Sequence, residues 1–541
     1  MFAARVRALA VPVPNPSAWR PSMSATQHPD WTPPPPGEFL GHPKALWNLF
    51  GAEFWERFMY YGMRAMLAVH VAAAFFNHLG PGADAQASVT YGGFTSLVYM
   101  TGILGGFIAD RVLGYQRSIM LGGALMAVGS FMLMAPDLTT FLMGLAVLVI
   151  GNGLFKPNIS TMVGKLYEPG DARRDSGFTI FYMGINAGAL VAPIICASWI
   201  GATYGYRWGF FSAGIGMILG LMVFQVFKAW LGHVGSTPKG QEGFGPVIKV
   251  TIGAFLLAIP AYFLLDKSWQ NGLAGNFAVG SAPFWLFDSL GVLGMLLVLL
   301  MFGLASYFIL SGVRSKDTVQ MQRYIAMLIL FAANILFWAL FEQAGSSLNF
   351  LARDYVDMPT IFGYQLHFTI FQSVNPVFII LLAPVFAALW PWLDKKEMNP
   401  SIPRKFALGL AGAAIGFYVL VFAIKNMATE TGHISWTWLT LTYLIHTIGE
   451  LCLSPIGLAM VTKLAAPKET GMAMGGWFLS IAMANYVAGL LAAEAAGGGE
   501  EAGSLMQYVS VFDSMFFIGI IIAAVFFLAA PLINKLMHGV K

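Results

Sequence analysis

The sequence predicts an all-α membrane protein: two six-helix bundles with two further helices inserted between them, fourteen spans in all. Composition is the first reason. Of 541 residues, 57% are apolar and only 10% charged, where soluble domains carry about 25% charged residues. The second is a recurrence of apolar runs long enough to cross a bilayer, at 46–76, 90–109, 117–136, 139–163, 177–202, 207–231, 246–266, 284–313, 323–351, 364–392, 405–425, 437–463, 471–496 and 508–536. The third is the placement of basic residues. With those spans, one side of the membrane collects 23 lysines and arginines, and the other holds four, Arg207, Lys267, Arg353 and Lys425. A miscounted helix would scramble this alternation. Because basic loops stay in the cytoplasm, the expectation is a multi-pass protein of the cytoplasmic membrane with both termini cytoplasmic. The same sorting accounts for the net charge of +4, so no nucleic-acid partner is expected.

Taken in order, residues 1–45 contain NPSAWRPS and PPPPGE, a polar proline-rich tract too poor in apolar surface to fold alone, and are expected to form a disordered cytoplasmic tail. The tract lacks the continuous apolar core and small-residue cleavage site of a secretory signal, and Met23 within it is an alternative start. Residues 46–231 form the first six-helix bundle. Residues 232–322 form a linker in which GHVGSTPKGQEGFGP, a helix, the loop DKSWQNGLAGNFAVGSAP and a second helix follow one another with few charges. Residues 323–541 form the second bundle. Cys196 and Cys452 both fall inside apolar spans, which excludes a disulfide framework and a cysteine metal cluster.

The first span carries the strongest functional signal. Glu53, Glu56 and Arg57 lie within it, and each charge at the centre of a membrane span costs roughly 3 kcal/mol on insertion scales. Three of them in five residues argue for a polar interior path. At about 100° per residue, Glu53, Glu56, Arg57, Tyr60, Tyr61 and Arg64 share one face of the helix, and the other face is Phe, Met, Leu and Ala. Glu53 and Arg57 also stand in the i to i+4 order, acid before base, that favours a helical ion pair.

Other spans add single charges to apolar surroundings. Lys156 lies in VLVIGNGLFKPNISTMV, where an unpaired ammonium is unstable, so it is expected to face a carboxylate, Glu53 or Glu56. Pro157 follows and loosens the helix there. Glu342 has no cation in its own helix, which makes it a candidate for gaining and losing a proton; Glu450 is a further buried acid. His70, His367 and His446 belong to no polar stripe. Four intramembrane acids face three bases, Arg57, Arg64 and Lys156, so one proton balances the set. The bases belong to the first half and two of the acids, Glu342 and Glu450, to the second. A ligand with a carboxylate at one end and an amine at the other would bridge the halves.

Two six-helix halves suggest a secondary transporter with a central site, and the turn GGFIADRVLGYQR, with Asp110, Arg111, Gly114 and Arg117, resembles the loop signature of the major facilitator superfamily. EFWERFMYYG resembles the ExxERFxYYG signature of the proton-dependent oligopeptide transporter family, and FYMGINAGAL, residues 181–190, resembles its second signature. FEQAGSS from Phe341, QSVNP from Gln372 and LSPIGLAMV from Leu453 are also similar to family segments, so the match runs from residue 46 over nearly all the chain. The two inserted helices resemble those of prokaryotic members.

The resemblance implies import of di- and tripeptides driven by protons, with no cofactor and no metal, by a chain functional as a monomer. By matching position, Glu53, Glu56 and Arg57 are the coupling triad, Lys156 its salt-bridge partner and Glu342 a second protonation site. Arg57 and Lys156 lie near the peptide carboxylate, helped by Tyr61 and Arg64. Asn186, Asn375 and Glu450 hold the amino end and the peptide group, and Tyr99 and Trp477 are pocket aromatics. TGILGG replaces the proline-containing TPLLGG usual before the loop signature. No counterpart stands in for the early-helix histidine of the animal members, which leaves coupling to carboxylates. The alternative is a proton-coupled transporter of another small solute, such as nitrate, an amino acid or a peptide-like compound. An intramembrane enzyme is disfavoured by the lack of HExxH and GxSxG.

Overall fold

The protein, seen in a computed structural model, is described over residues 31–497 and 504–540. Fourteen long helices follow one another: α1 (Lys44–Phe75), α2 (Gly82–Leu113), α3 (Tyr115–Met132), α4 (Leu138–Lys165), α5 (Arg173–Tyr204), α6 (Tyr206–Val226), α7 (Gly245–Leu265), α8 (Ala282–Ser315), α9 (Thr318–Tyr355), α10 (Phe368–Lys395), α11 (Ile402–Met427), α12 (Trp436–Leu464), α13 (Thr470–Gly497) and α14 (Leu505–Met537). Among the described residues thirteen are long and apolar enough to cross a membrane. The other, α3, is 18 residues long and opens on the polar run Tyr115, Gln116, Arg117.

Two expectations are corrected at the ends of elements. The span expected to start at residue 90 starts at Gly82. Its polar opening is helical because its polar groups are satisfied: Ser88 and Thr90 hydroxyls donate to the carbonyls of Asp84 and Gln86 at 2.8 and 3.1 Å, and Asp84 pairs with Arg353 at 2.6 Å. The tail expected to be disordered over 1–45 lies outside the described residues up to residue 30, and from Trp31 on it is tied down. Glu38–Phe39 pairs with His42–Pro43 in an antiparallel hairpin. Trp31 Nε1 donates to the carbonyl of Lys165 at 3.2 Å, the His42 ring meets the Tyr167 hydroxyl at 2.8 Å, and Glu38 pairs with Arg173 at 2.9 Å.

In the first half α1 packs on α5 and α6, and α3 on α4; in the second α11 packs on α12 and α14, and α9 on α13. The inserted helices divide between the halves, α7 lying on α4 and α2, and α8 on α9 and α13. The linker into α7 is clamped by the charged turn recognised in the sequence. Gln116 Nε2 donates to the carbonyls of Gly232 and Val234 at 2.9 and 2.8 Å, and Arg117 to those of Gln241, Glu242 and Gly243 at 3.1, 2.5 and 2.9 Å. Gly114 supports this turn at φ 75°, where an added Cβ would stand 2.4 Å from the Ser236 carbonyl oxygen. The connection between α7 and α8, expected as a loop, contains a short helix, Lys267–Ala274, capped by Asp266.

The halves meet at the end remote from the basic loops. There α2 crosses α13 so closely that a Cβ on Gly92 would lie 2.6 Å from the Gly489 Cα. Asn349 donates to the Ala65 carbonyl at 2.9 Å, Ser198 meets Thr369 at 2.8 Å, Ser373 donates to the Leu190 carbonyl at 2.7 Å, and Arg353 holds Asp84 through both carboxylate oxygens.

Candidate functional site

The polar face of α1 forms the floor of the site, and its charges are buried as the stripe requires. Arg57 Nε lies 2.9 Å from Glu53 and 2.5 Å from Glu56. The pairing is one of proximity. Among the described residues neither Nε nor Nη2 of Arg57 has a hydrogen-bond acceptor in good geometry, and Oε2 of each acid likewise accepts none. Buried donors left unmade are costly, so this guanidinium is poised to take an acceptor from a ligand. Asn152, one turn before Lys156 on α4, donates to Glu56 Oε1 at 3.2 Å. Lys156 itself corrects an expectation: it makes no ion pair with Glu53 or Glu56, because Arg57 already occupies both. Its ammonium sits over the Tyr99 ring, 4.4 Å from the centroid, within electrostatic reach of Arg57, Glu56, Glu53 and Glu342.

Two turns along α1, Arg64 crosses to the second half. Its Nη2 lies 2.5 Å from Glu342 Oε2 and its Nε 2.5 Å from the Tyr91 hydroxyl, with Tyr61 alongside, its ring centroid 5.7 Å from Cζ. Arg64 was expected beside a ligand carboxylate; here it is spent on Glu342. Glu342 is available because α9 breaks at that point: the α-helix stops at Phe341, one 3₁₀ turn spans Glu342–Gly345, and helix resumes at Ser347. The FEQAGSS segment is the sequence trace of this break. Tyr91 fits beneath it where Gly345 has no side chain.

Glu450 on α12 is the acid left without a cation. Its Oε2 accepts from Asn375 Nδ2 at 2.9 Å, and the same amide donates to the Thr447 hydroxyl at 2.9 Å. Asn375 reaches it because α10 begins with a 3₁₀ segment, Phe368–Ser373, that delivers Asn375 on the first α-turn. Glu450 is thus one of two places with unbalanced negative charge; the other is the triad, where two acids share one guanidinium and Lys156 stands nearby as the balancing cation. Asn186 is buried and donates to its own helix at the Tyr182 carbonyl, 3.0 Å. Trp477 is wedged against Phe331 and Phe406 within the second half. The histidines are structural: His70 sits among Phe75, Phe141, Tyr206 and Phe210, His367 caps the start of α10, and His446 contacts the Ala413 carbonyl at 3.0 Å. Tyr91, Asn152 and Thr447 escaped the sequence reading, although Asn152 had a signal in its four-residue spacing from Lys156. Among the described residues no group of three or more His, Cys, Asp or Glu gathers as a metal site.

Two membrane-embedded halves, joined at one end over buried charges contributed by both, define a secondary transporter. Comparison with known proteins narrows the class. The family model described as POT family matches residues 116–499. The chain is 36% identical over 516 residues to the peptide transporter YePEPT of Yersinia enterocolitica, covering 93% of this chain and 97% of that protein. It is 35% identical over 460 residues to a di-/tripeptide transporter of Lactococcus lactis, covering 82% and 87%. Among solved structures, a glutamate-to-glutamine mutant of peptide transporter POT in complex with alafosfalin superposes with a TM-score of 0.74 at 35% identity, covering 94% and 98%. A POT family transporter in complex with 5-aminolevulinic acid gives 0.74 at 31%, covering 92% and 98%. The chain belongs to the POT family. Its fold is that of the major facilitator superfamily, and it is an integral membrane transporter, not an enzyme.

Proposed function

We propose that the protein is a proton-coupled symporter that brings di- and tripeptides into the cell across the cytoplasmic membrane. The observation that carries this reading is the division of charge: Arg57, whose Nη2 makes no hydrogen bond, and Lys156, which makes no ion pair, on the first half, and Glu450, likewise without an ion pair, on the second, all among the described residues. A short peptide presents a carboxylate and an amine, and bridges them. Backbone and termini are common to all short peptides, so recognition through them tolerates many side chains. The names of the relatives support the same substrate class. The 5-aminolevulinic acid in one relative, also an amine with a carboxylate, favours a second reading in which a peptide-like compound is the cargo. Both termini are cytoplasmic on the charge count, and one chain, acting as a monomer, holds the whole pathway.

Coupling follows from the Arg64–Glu342 pair. While Glu342 is ionised it holds Arg64 and the two halves stay joined. A proton on Glu342 removes one charge, frees Arg64 and lets the outer end open. Entry of peptide, closure and re-formation of the pair then require that the proton leave to the inner side, so the two move together. The Glu53, Glu56 and Arg57 triad offers a second place where protonation and peptide binding compete for one guanidinium.

The test is uptake of labelled dialanine into proteoliposomes. A membrane potential of 100 mV supplies roughly 2.3 kcal/mol per proton, enough for about 50-fold accumulation. An imposed gradient should drive concentration that an uncoupler collapses, and Glu342→Gln should equilibrate dialanine without concentrating it. Accumulation by the mutant would overturn the coupling role. An excess of 5-aminolevulinic acid that displaces dialanine, with no reciprocal displacement, would favour the second reading.

A further inference from the structure

Away from the central site, α1, α5 and α6 enclose a cleft of about 840 Å³ that faces outward from the bundle. Its lining is apolar apart from Ser212, and it is an open groove rather than an enclosed cavity. On α6 it is formed by Trp208, Phe211, Ile215 and Leu219, the i, i+3, i+7, i+11 spacing of one helix face. From Trp208 to Leu219 the helix rises about 16 Å, which is half of a hydrocarbon core about 30 Å thick. The cleft therefore runs the length of about one leaflet.

The mouth of the cleft carries the features of a headgroup site. Trp199, Tyr204 and Trp208 stand at this end, 62%, 66% and 51% exposed, where amphipathic rings settle at the membrane interface. Arg207 is not part of the lining; it immediately precedes Trp208 at the start of α6, one turn before Phe211. Of the four cations on the sparse side of the protein, three are engaged. Lys267 donates to the Asp288 carbonyl, Arg353 holds Asp84 and Asp354, and Lys425 pairs with Asp513 at 2.6 Å. Among the described residues Arg207 alone of the four has neither an ion pair nor a hydrogen bond, and it is exposed.

We propose that this cleft is a binding site for one anionic phospholipid, an acyl chain lying against α6 and its phosphate on Arg207. Its floor is Phe54, Trp55 and Phe58, the back of the helix whose front bears Glu53, Glu56 and Arg57, so the bound lipid packs directly on the element that carries the charged triad.

The test uses the purified full-length protein. In native mass spectrometry with dioleoyl-phosphatidylglycerol and, separately, dioleoyl-phosphatidylcholine, one phosphatidylglycerol should bind more tightly than the rest. Arg207→Ala should weaken that one about fivefold, the usual contribution of one basic residue to anionic lipid, and leave phosphatidylcholine unchanged. Ile215→Trp, which sets a bulky ring across the middle of the cleft without touching the triad, should weaken binding there for both. Phosphatidylglycerol carrying a photoreactive acyl chain, applied to the unaltered protein, should label the stretches 191–204 and 208–219. Equal loss of both lipids in Arg207→Ala, an unchanged phosphatidylglycerol affinity, or labelling spread evenly over the lipid-facing helices would each overturn the proposal.

Discussion

Replacing Glu450 by glutamine isolates the charge to which the proposed function assigns the peptide amine. The exchange keeps the shape of the side chain and an oxygen for Asn375, whose amide donates to Glu450 Oε2 at 2.9 Å, so the frame around it survives. Glu450 is 8% exposed, and among the described residues no cation lies within ion-pair distance of it. A hydrogen bond to a charged group contributes about 1.5–3 kcal/mol, against about 0.5–1.5 for a neutral one. The substitution should therefore cost a ligand amine roughly 1–2 kcal/mol, a five- to thirtyfold loss of affinity. Isothermal titration of detergent-solubilised protein with dialanine measures this, and N-acetyl-dialanine, which has no charged amine, is the control. The unaltered protein should prefer dialanine clearly, and the Glu450→Gln protein should lose most of that preference by weakening dialanine alone. A loss under threefold, or an equal loss for both ligands, would refute the assignment of the amine to Glu450.

Two further outcomes follow from contacts elsewhere. Gly92→Val places atoms where the Gly489 backbone lies 2.6 Å from a Cβ; the halves should fail to join, transport should stop, and a cysteine placed at Ser88 should become reactive to maleimide from the outer side, where it is buried in the joined state. Glu469, just ahead of α13, is pushed up by burial, but hydrogen bonds from Ser311, Tyr324 and Tyr307 outweigh this and hold its carboxyl below the ordinary range. A carboxyl lowered by folding stabilises above its unfolded value, near 4.3, and that contribution disappears as pH falls through the folded value. Glu469→Gln should thus lower the melting temperature at pH 7, and the difference should shrink as the medium is acidified below the ordinary carboxylate range, as thermal unfolding in detergent would record; a loss independent of pH would contradict it.

Much of the site was legible because burial of charge is read directly from sequence. A stripe of Glu53, Glu56, Arg57, Tyr61 and Arg64 inside an apolar run must face inward, whether it couples transport or fixes helix packing, and fourteen apolar runs with alternating basic loops give the order of the helices. The inserted pair was visible for the same reason. Boundaries were less so, as at Gly82, where polar residues fit a helix only because Arg353, far along the chain, meets Asp84. The same limit applies to the start of the chain, where Trp31 and His42 find partners on the α4 to α5 connection.

The sequence by itself determined which groups are charged within the membrane and which half each belongs to, because helical periodicity and transfer cost are local properties. Tertiary structure alone decided who partners whom. Arg57 takes both neighbouring acids and leaves Lys156 on an aromatic ring, Arg64 reaches across to the break in α9, and Glu450 is left with Asn375. Pairing across 278 residues, as between Arg64 and Glu342, depends on how the two bundles dock and on where α9 departs from regular helix, and no pattern within either segment specifies that.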